Sequence, residues 1–224
     1  MNIYDAKILG LPRIEDPRGN LSIIEQLKQI PFEIKRVYWI YDVPSGMDRG
    51  AHAYKENQEF IVALSGSFDV ELDDGKSRQI FSLNRSYFGV YVPKGMWRTM
   101  KNFSTNSLAL ILSSTQYDKE DYIMDYEEFK QWTQNNMRQT MSVVNDTSIK
   151  VNNPQISFST NDGRSVFDCS LCELSKMHDV EGNLTYMYEN VHVPFPIRRV
   201  FYSYDIPGGE DRGRGHRIKS TTKH

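Results

Sequence analysis

A segment near the N-terminus of this chain recurs further along it at a constant offset of 163 residues, the distance from Asp16 to Asp179. The copies share a turn sequence around Gly19 and Gly182, and both then continue into a run of β-branched and aromatic residues. Such long-range self-similarity indicates a duplicated structural unit. The second copy lacks a counterpart of residues 60–135, so the chain has to fold as one complete unit and one partial unit.

The partial copy poses a physical problem, because half a β unit presents strand edges and an apolar face that it cannot cover alone. Three outcomes are open: it pairs with the first copy, it pairs with a neighbouring chain, or it is poorly ordered. We expect packing within a dimer. The sequence does not show whether the native gene product is longer than this chain. The expected domains are residues 1–135, a polar linker at 136–162, and a partial repeat at 163–224.

The first copy is predicted to be mainly β. Residues 34–41 are rich in β-branched and aromatic side chains, and residues 67–72 alternate polar with apolar side chains before an Asp73-Asp74-Gly75 turn. Between residues 121 and 132 the aromatic side chains change to helical spacing, which predicts one helix packed on the strands. Further strands are predicted at residues 87–92 and 108–112.

Composition argues against several classes of function. The 224 residues are enough for one large or two small domains. The net charge of −2, from 27 basic and 29 acidic residues, gives no reason to expect a nucleic-acid partner. No apolar run approaches the length needed to cross a membrane, and the N-terminus lacks the basic and apolar regions of a signal peptide. We therefore expect a soluble, cytoplasmic protein.

Two cysteines, Cys169 and Cys172, form a single Cys-x-x-Cys motif. A redox or zinc role is disfavoured because the sequence has no second pair of cysteines. The simpler interpretation is two small side chains on or beside a strand.

The candidate chemistry lies in the segment around His52. Successive side chains on a strand point to opposite faces. The side chains expected on one face are therefore those of His52, Tyr54, Glu56 and Gln58. If this face lines a barrel, an imidazole, a phenol and an amide meet in one cavity, and Glu59 reaches it only through a bulge.

This spacing is similar to the first motif of cupins, in which a strand offers His-x-His and a carboxylate to the inside of a small barrel. Here Tyr54 stands at the second histidine position. A later motif, residues 93–102, has Arg98 where metal-binding cupins place another histidine. A permanent cation repels a divalent metal, so we expect a barrel with no metal and no other cofactor.

Residues 1–135 resemble the sugar-nucleotide 3,4-ketoisomerase family, also called WxcM-like or FdtA/QdtA-like proteins. The matching elements are Asp16-x-Arg18-Gly19-x-Leu21, Pro31-Phe32, Lys35-Arg36-Val37-Tyr38, Arg49-Gly50-x-His52-Ala-x-Lys55, Gln58, Gly66-Ser-Phe, Asp73-Asp74-Gly75, Pro93-x-Gly95-x-Trp97 and the segment from Ser113 to Phe129. The resemblance implies a mainly β cupin barrel (a double-stranded β-helix, or jelly-roll) with one C-terminal helix, followed here by a truncated second cupin repeat. It also implies a metal-free homodimer.

The resemblance further implies a substrate and a reaction. The family acts on dTDP-4-keto-6-deoxyglucose and moves its ketone from C4 to C3 by proton abstraction through an enediol, for deoxyamino-sugar and surface-glycan biosynthesis. His52 matches the first of two active-site histidines and Tyr54 replaces the second, so both are candidate catalytic residues. A phenol, with a pKa of about 10, is a poor base at neutral pH but a serviceable acid or hydrogen-bond donor. Candidate substrate-binding residues are Arg49, Lys55, Gln58, Arg98, Trp97 and Tyr38.

Two other functions fit the same residues. One is a non-catalytic cupin that binds a nucleotide sugar, with Tyr54 marking the lost step. The other is an enzyme like the sugar-nucleotide 3,5-epimerases, which would use the same cavity and invert a stereocentre. His216 occupies the position of His52 in the second copy, but its half-barrel lacks the later strands, so we do not expect it to be catalytic.

Overall fold

The computed structural model describes residues 2–142 and 172–208, and in these residues the fold is mainly β with one α-helix. The linker beyond residue 142, Cys169 and His216 lie outside the described residues. The helix is α1 (Tyr126–Ser142). The strands are β1 (Lys7–Gly10), β2 (Arg13–Ile14), β3 (Asn20–Glu25), β4 (Arg36–Tyr41), β5 (Arg49–Tyr54), β6 (Glu59–Ser65), β7 (Phe68–Asp73), β8 (Arg78–Leu83), β9 (Phe88–Val92), β10 (Trp97–Lys101), β11 (Leu108–Ser113), β12 (Tyr122–Ile123), β13 (Lys176–Asp179), β14 (Gly182–Tyr188) and β15 (Arg199–Tyr204).

The described strands form three antiparallel sheets. The largest has the order β1-β9-β6-β11-β4-β14-β13, the second β12-β5-β10-β7-β8, and the smallest β15-β3-β2. One apolar core contains side chains from both larger sheets, as expected for a cupin jelly-roll. The predicted alternation in β7 is confirmed, since Phe68, Val70 and Leu72 are buried in this core.

The central strands of the seven-stranded sheet are buried on both faces, which explains why residues 34–41 are so apolar. On β4, Tyr38 and Ile40 point to the core between the larger sheets, whereas Val37 and Trp39 point to a second core on the other face. Part of that second core comes from the second copy of the repeat, including the buried Ile197. Strands covered on both sides read as continuous apolar runs rather than alternating ones.

The predicted helix is confirmed and packs against the five-stranded sheet. The Asp125 side chain accepts a hydrogen bond from the backbone N–H of Glu128 at 2.8 Å, which caps the first turn of α1. Phe129 is fully buried against Ala53 and Ile123. Because α1 continues to Ser142, the first residues of the expected linker are helical.

The described part of the second copy lies against the first copy of the same chain. β14 pairs with β4, and β15 pairs with β3. Of the three outcomes left open by the sequence, the structure shows the first, whereas we had expected packing within a dimer. The reason is that each copy has an open strand edge, β4 in the first and β15 in the second. The other copy covers that edge with β14 or β3, respectively. No helix in the described ranges is long and apolar enough to cross a membrane.

Candidate active site

A cavity of about 610 Å³ is lined by residues of β4, β5 and β10. Three guanidinium groups line it, those of Arg36, Arg49 and Arg98. The remaining walls contain several tyrosines and the hairpin formed by β13 and β14. A cavity of this size, with a few convergent polar groups, has the dimensions of a small-molecule site.

A bulge in β5 positions His52. Opposite β10, the register places Arg98 against His52 and Thr99 against Gly50, which leaves Ala51 as an extra residue with φ of 52°. Gly50 has φ of 100°, and a Cβ there would lie 2.8 Å from Nη1 of Arg98. Glycine at this position therefore allows both the bulge and the close passage of the Arg98 side chain.

Two contacts fix the tautomer of His52. Its Nε2 lies 3.2 Å from Nη2 of Arg98, and its Nδ1 lies 3.1 Å from the backbone oxygen of Gly50. A guanidinium can only donate and a carbonyl can only accept. The proton is therefore on Nδ1, and the Nε2 lone pair faces Arg98 at the wall of the cavity.

The surroundings of His52 keep its imidazole neutral. Burial, followed by the positive charge of Arg98, lowers the pKa of His52 from 6.5 to about 3. Although the ring is enclosed by protein, its cavity face is partly accessible. His52 is thus an unprotonated base at neutral pH, and an anion that offsets the charge of Arg98 would raise its pKa.

Two phenols stand beside the imidazole. The ring centroids of Tyr54 and Tyr122 lie 4.8 and 5.1 Å from that of His52. Oη of Tyr54 donates to Oη of Tyr122 at 3.2 Å, which leaves the proton of Tyr122 available to the cavity. Burial raises the pKa of Tyr54 well above 10, so this phenol stays protonated and acts as a donor.

A buried ion pair holds the Arg98 guanidinium in place. Nη2 of Arg98 lies 3.0 Å from Oε2 of Glu59 without hydrogen-bond alignment, and Tyr38 donates to Oε1 of Glu59 at 2.6 Å. Burial alone would raise the pKa of Glu59, but the charge of Arg98 and the Tyr38 hydrogen bond outweigh it, so this pKa lies below its ordinary value. Glu59 is therefore ionised and supplies the counter-charge of Arg98.

Two buried guanidinium N–H groups lack acceptors within the described residues. They are Nε of Arg36 and Nε of Arg98, and both side chains line the cavity. An unpaired buried donor is costly unless something satisfies it. Both nitrogens are inaccessible to solvent, so an anionic ligand in the cavity would meet the charge of these guanidinium groups rather than their Nε–H groups.

The same residues do not fit a metal ion. Arg98 lies between the imidazole of His52 and the carboxylate of Glu59, and its fixed charge repels a divalent cation. In the described ranges, no group of three or more His, Cys, Asp or Glu side chains could hold one.

Cys172 is exposed, and its Sγ donates to the backbone oxygen of His192.

The structure brings five of the eight expected site residues together at the cavity: His52, Tyr54, Tyr38, Arg49 and Arg98. It places the other three elsewhere. Lys55 Nζ donates to the backbone oxygen of Glu120, Gln58 Oε1 accepts from Tyr91, and the Trp97 ring packs against Tyr126 and Phe129.

The expected single face of His52, Tyr54, Glu56 and Gln58 is wrong beyond Tyr54. β5 ends there and β6 begins at Glu59, so the intervening turn resets the alternation of side chains. Glu56 is exposed and pairs with Lys94 at 2.6 Å. Glu59, which we expected to reach the interior only through a bulge, reaches it because the new strand starts at that residue.

Sequence reasoning missed several cavity residues. Tyr122 lies inside a motif that carried the family resemblance, so a signal for it was present. Asp179, Glu181, Tyr186 and Tyr188 belong to the second copy, and they gave no signal because that copy was not expected to face the first site.

Comparison with known proteins identifies the family of this chain. A family model described as "FdtA: WxcM-like, C-terminal" matches residues 4–134 and 167–223. The chain belongs to this WxcM-like family. The two matched segments correspond to the two copies recognised in the sequence.

Relatives of this WxcM-like protein have related activities. A TDP-4-oxo-6-deoxy-α-D-glucose-3,4-oxoisomerase of Aneurinibacillus thermoaerophilus is 41% identical over 128 residues, which are 57% of this chain and 92% of the relative. The WlaRB TDP-quinovose 3,4-ketoisomerase of Campylobacter jejuni is 46% identical with a TM-score of 0.56, covering 58% of this chain and 99% of that one. QdtA, a sugar 3,4-ketoisomerase of Thermoanaerobacterium thermosaccharolyticum solved with TDP, is 32% identical with a TM-score of 0.58, covering 60% and 98%. Each of the three matches nearly its whole length to little more than half of this WxcM-like chain.

Proposed function

We propose that this WxcM-like protein is a sugar-nucleotide 3,4-ketoisomerase that converts a dTDP-4-keto-6-deoxyhexose to its 3-keto isomer. The observation that carries the proposal is the neutral imidazole of His52, whose Nε2 lone pair lies at the wall of a cavity lined by three guanidinium groups. The names of the similar enzymes support the same substrate class.

In the proposed reaction, Nε2 of His52 gives up its hydrogen bond from Arg98 and uses that lone pair to remove the proton from C3 of the sugar. The electron pair of the C3–H bond moves into a C3–C4 double bond, and the C4 carbonyl oxygen gains a proton, which gives an enediol. The C3 hydroxyl then loses its proton to become the ketone, and C4 receives a proton. Atoms and charge balance without a cofactor, and a base with correct geometry contributes about 10²–10⁴-fold to such steps.

The phenols and the guanidinium stabilise the intermediate. Tyr122, whose hydroxyl accepts from Tyr54, can donate its own proton to an enediol oxygen. Tyr54 stays protonated and so continues to donate to Tyr122. It does so at the position where the family resemblance implies a second histidine. Arg98 supplies a fixed positive charge next to the developing negative charge, the kind of preorganised stabilisation that lowers such barriers most.

The diphosphate of the substrate is proposed to bind Arg36 and Arg49. Both side chains line the cavity, and each carries a fixed positive charge. Charge-assisted hydrogen bonds from guanidinium to phosphate are among the stronger polar contacts. Neutralising this positive cavity by the substrate also removes part of the field that lowers the pKa of His52.

The proposed function is tested by incubating the protein with dTDP-4-keto-6-deoxyglucose in deuterated water and following C3 and C4 by NMR. Migration of the ketone to C3 is the expected result. Binding without exchange would instead identify a nucleotide-sugar-binding protein. Exchange with inversion at C3 or C5 and no ketone migration would identify an epimerase.

The pH dependence of kcat/KM should lack an acidic limb near pH 6.5. This parameter reports ionisations of the free enzyme, and His52 has a folded-state pKa of about 3 in the field of Arg98, Arg36 and Glu59. We therefore expect no loss that is due to His52 between about pH 8 and pH 5. Initial rates across this range check the prediction, and a tenfold fall per unit below pH 6.5 would contradict it.

Unlike kcat/KM, the free energy of unfolding should decrease as the pH falls over this range. Because the folded-state pKa of His52 lies below the unfolded value of 6.5, the unfolded chain binds the proton first as the pH falls. The contribution of His52 to the free energy of unfolding is complete above about pH 6.5 and is lost progressively towards pH 3. Urea denaturation of wild type and His52→Gln at two pH values measures this, and the variant should lose less stability on acidification.

The biological setting follows from the same proposal. A 3-keto sugar nucleotide is a substrate for transamination, which places the enzyme in deoxyamino-sugar synthesis for surface glycans such as lipopolysaccharide. A cytoplasmic location is proposed with it.

A further inference from the structure

Pairing between the two copies is reciprocal. β14 of the second copy pairs with β4 of the first, with Asn183 opposite Tyr41, and β3 of the first copy pairs with β15 of the second, with Asn20 opposite Tyr204. Shifting every residue by the 163-residue offset converts one register into the other along both six-residue pairings. This is the arrangement of a two-fold, isologous interface, here between two parts of one chain.

Side-chain contacts repeat the same symmetry. Nδ2 of Asn183 donates to Oδ2 of Asp42 at 2.8 Å, and Nδ2 of Asn20 donates to Oδ2 of Asp205 at 3.1 Å. These four residues are also related by the offset. The exchanged strands are therefore held by matched hydrogen bonds on both sides, as two protomers of a symmetric dimer would be.

Backbone packing at the start of the exchanged strands is matched as well. A Cβ on Gly182 would lie 2.9 Å from Cγ2 of Val43, and a Cβ on Gly19 would lie 2.7 Å from Cγ1 of Ile206. Both glycines allow the chain to approach the other copy more closely than a residue with a Cβ could. The second copy thus preserves the close-fitting elements of the interface.

The second copy also forms a wall of the candidate active site. Asp179, Glu181, Tyr186 and Tyr188 line the same cavity as His52. Nη1 of Arg49 lies 3.9 Å from Oδ2 of Asp179 and 3.8 Å from Oε2 of Glu181, so both acidic groups are weak, partly exposed partners of that arginine. The cavity has this wall only because the second copy is present.

Several cavity positions of the second copy differ from those of the first, although Asp179 and Leu184 match Asp16 and Leu21. At the position of Glu181 the first copy has Arg18, and at Tyr186 and Tyr188 it has Ile23 and Glu25. An exchange between two first copies would bring Arg18 towards Arg49. In this chain a carboxylate stands there instead.

We propose that the partial second copy is a built-in partner subunit: within one chain, the hairpin of β13 and β14 completes the pocket that contains His52, and Glu181 in it competes with the substrate diphosphate for Arg49. The statement about diphosphate rests on the proposed function, whereas the completion of the pocket does not. A homodimer of this chain would have to form through a different surface, because the exchanged edges are filled internally.

An engineered disulfide tests completion within the chain without any reference to activity. In the full chain with Cys169→Ser and Cys172→Ser, cysteines are placed by Tyr41→Cys and Asn183→Cys, which lie directly opposite each other and outside the cavity. Opposed residues of antiparallel strands are about 4.5–5.5 Å apart at Cβ, close enough for a disulfide after slight adjustment.

Mild oxidation should give a species at the mass of one chain, 26.1 kDa, on a non-reducing gel, and its two thiols should react with a thiol reagent only after reduction. A disulfide-linked dimer would show exchange between chains and overturn the proposal, as would the absence of any cross-link. Each single-cysteine variant serves as the control for random dimerisation.

Glu181→Gln tests the contribution of the second copy to binding. Removing this carboxylate frees Arg49 and takes a negative charge away from the diphosphate, so KM should fall about 2- to 5-fold with kcat unchanged, the size expected from an exposed ion pair. The matched control is Glu15→Gln. It removes a carboxylate that lies 3.3 Å from Nε of Arg13, and neither residue lines the cavity.

An unchanged or raised KM for Glu181→Gln would overturn the assigned role of Glu181. If the wild-type protein does not isomerise the sugar, the proposed function fails. The dissociation constant of dTDP measured by calorimetry on the same variants then takes the place of KM, with the same expected direction.

Discussion

Replacing His52 by asparagine should lower kcat by about 10²–10⁴-fold, the loss usual for a single acid–base group. Asparagine approximates the shape of the imidazole and can still donate to the backbone oxygen of Gly50, but it offers no basic nitrogen. Steady-state rates at saturating substrate measure the effect, because they separate the loss of the base from any loss of binding.

The control for this variant is His178→Asn. His178 is exposed on β13, where its side chain contacts Asn183, and it does not line the cavity. We expect wild-type kinetics from this control and an unchanged melting temperature for both variants within a few degrees. If His52→Asn kept more than about a fifth of the wild-type kcat, His52 would not be the base.

Replacing Glu59 by leucine should destabilise the protein by about 3–5 kcal/mol, because it leaves a buried guanidinium without its counter-charge. Both side chains of the Arg98–Glu59 pair are almost fully buried, at 3% and 1% exposure. Tyr38 also loses its acceptor at 2.6 Å. The free energy of unfolding from urea denaturation measures the combined cost.

A double variant distinguishes the unpaired charge from simple loss of packing. Glu59→Leu with Arg98→Met removes both charges and fills the space with apolar groups, so most of the lost stability should return. The double variant should nevertheless be a poor enzyme, because Arg98 faces the reacting part of the cavity. A single variant that lost less than about 1 kcal/mol would show that the pair is not a buried ion pair in solution.

The barrel was predictable because its signals are local. Alternation in β7, the apolar run of β4 and the helical spacing in α1 each follow from burial of one or two faces of a single element. His52 and Arg98 were also predictable, since each lies in a strand whose motif spacing determines which side chains point inward.

The rest of the site depends on tertiary contacts that no local pattern shows. Glu59 faces the interior because β5 stops at Tyr54, and the end of a strand is not set by alternation. Lys55 and Gln58 have the right chemistry and the right motif, yet the same turn directs them to Glu120 and Tyr91. Local periodicity therefore predicted the strands better than it predicted where they end.

The reciprocal pairing of the copies was present in the sequence only as the constant offset. The offset indicated duplication, but not which edge each copy fills. That depends on β4 having an open edge and on β14 having a matching register, a property of pairs of strands rather than of either strand alone. The residues Glu181 and Tyr188 were missed for this reason.

Removal of the C3 proton of the sugar by the imidazole of His52 is the step on which the proposed function depends. Its most direct test is loss of the C3 hydrogen to deuterated solvent, followed by NMR for wild type and His52→Asn, both saturated with dTDP-4-keto-6-deoxyglucose. We predict that exchange at C3 falls together with ketone migration in the variant. Exchange at C3 by His52→Asn at the wild-type rate would contradict the claim.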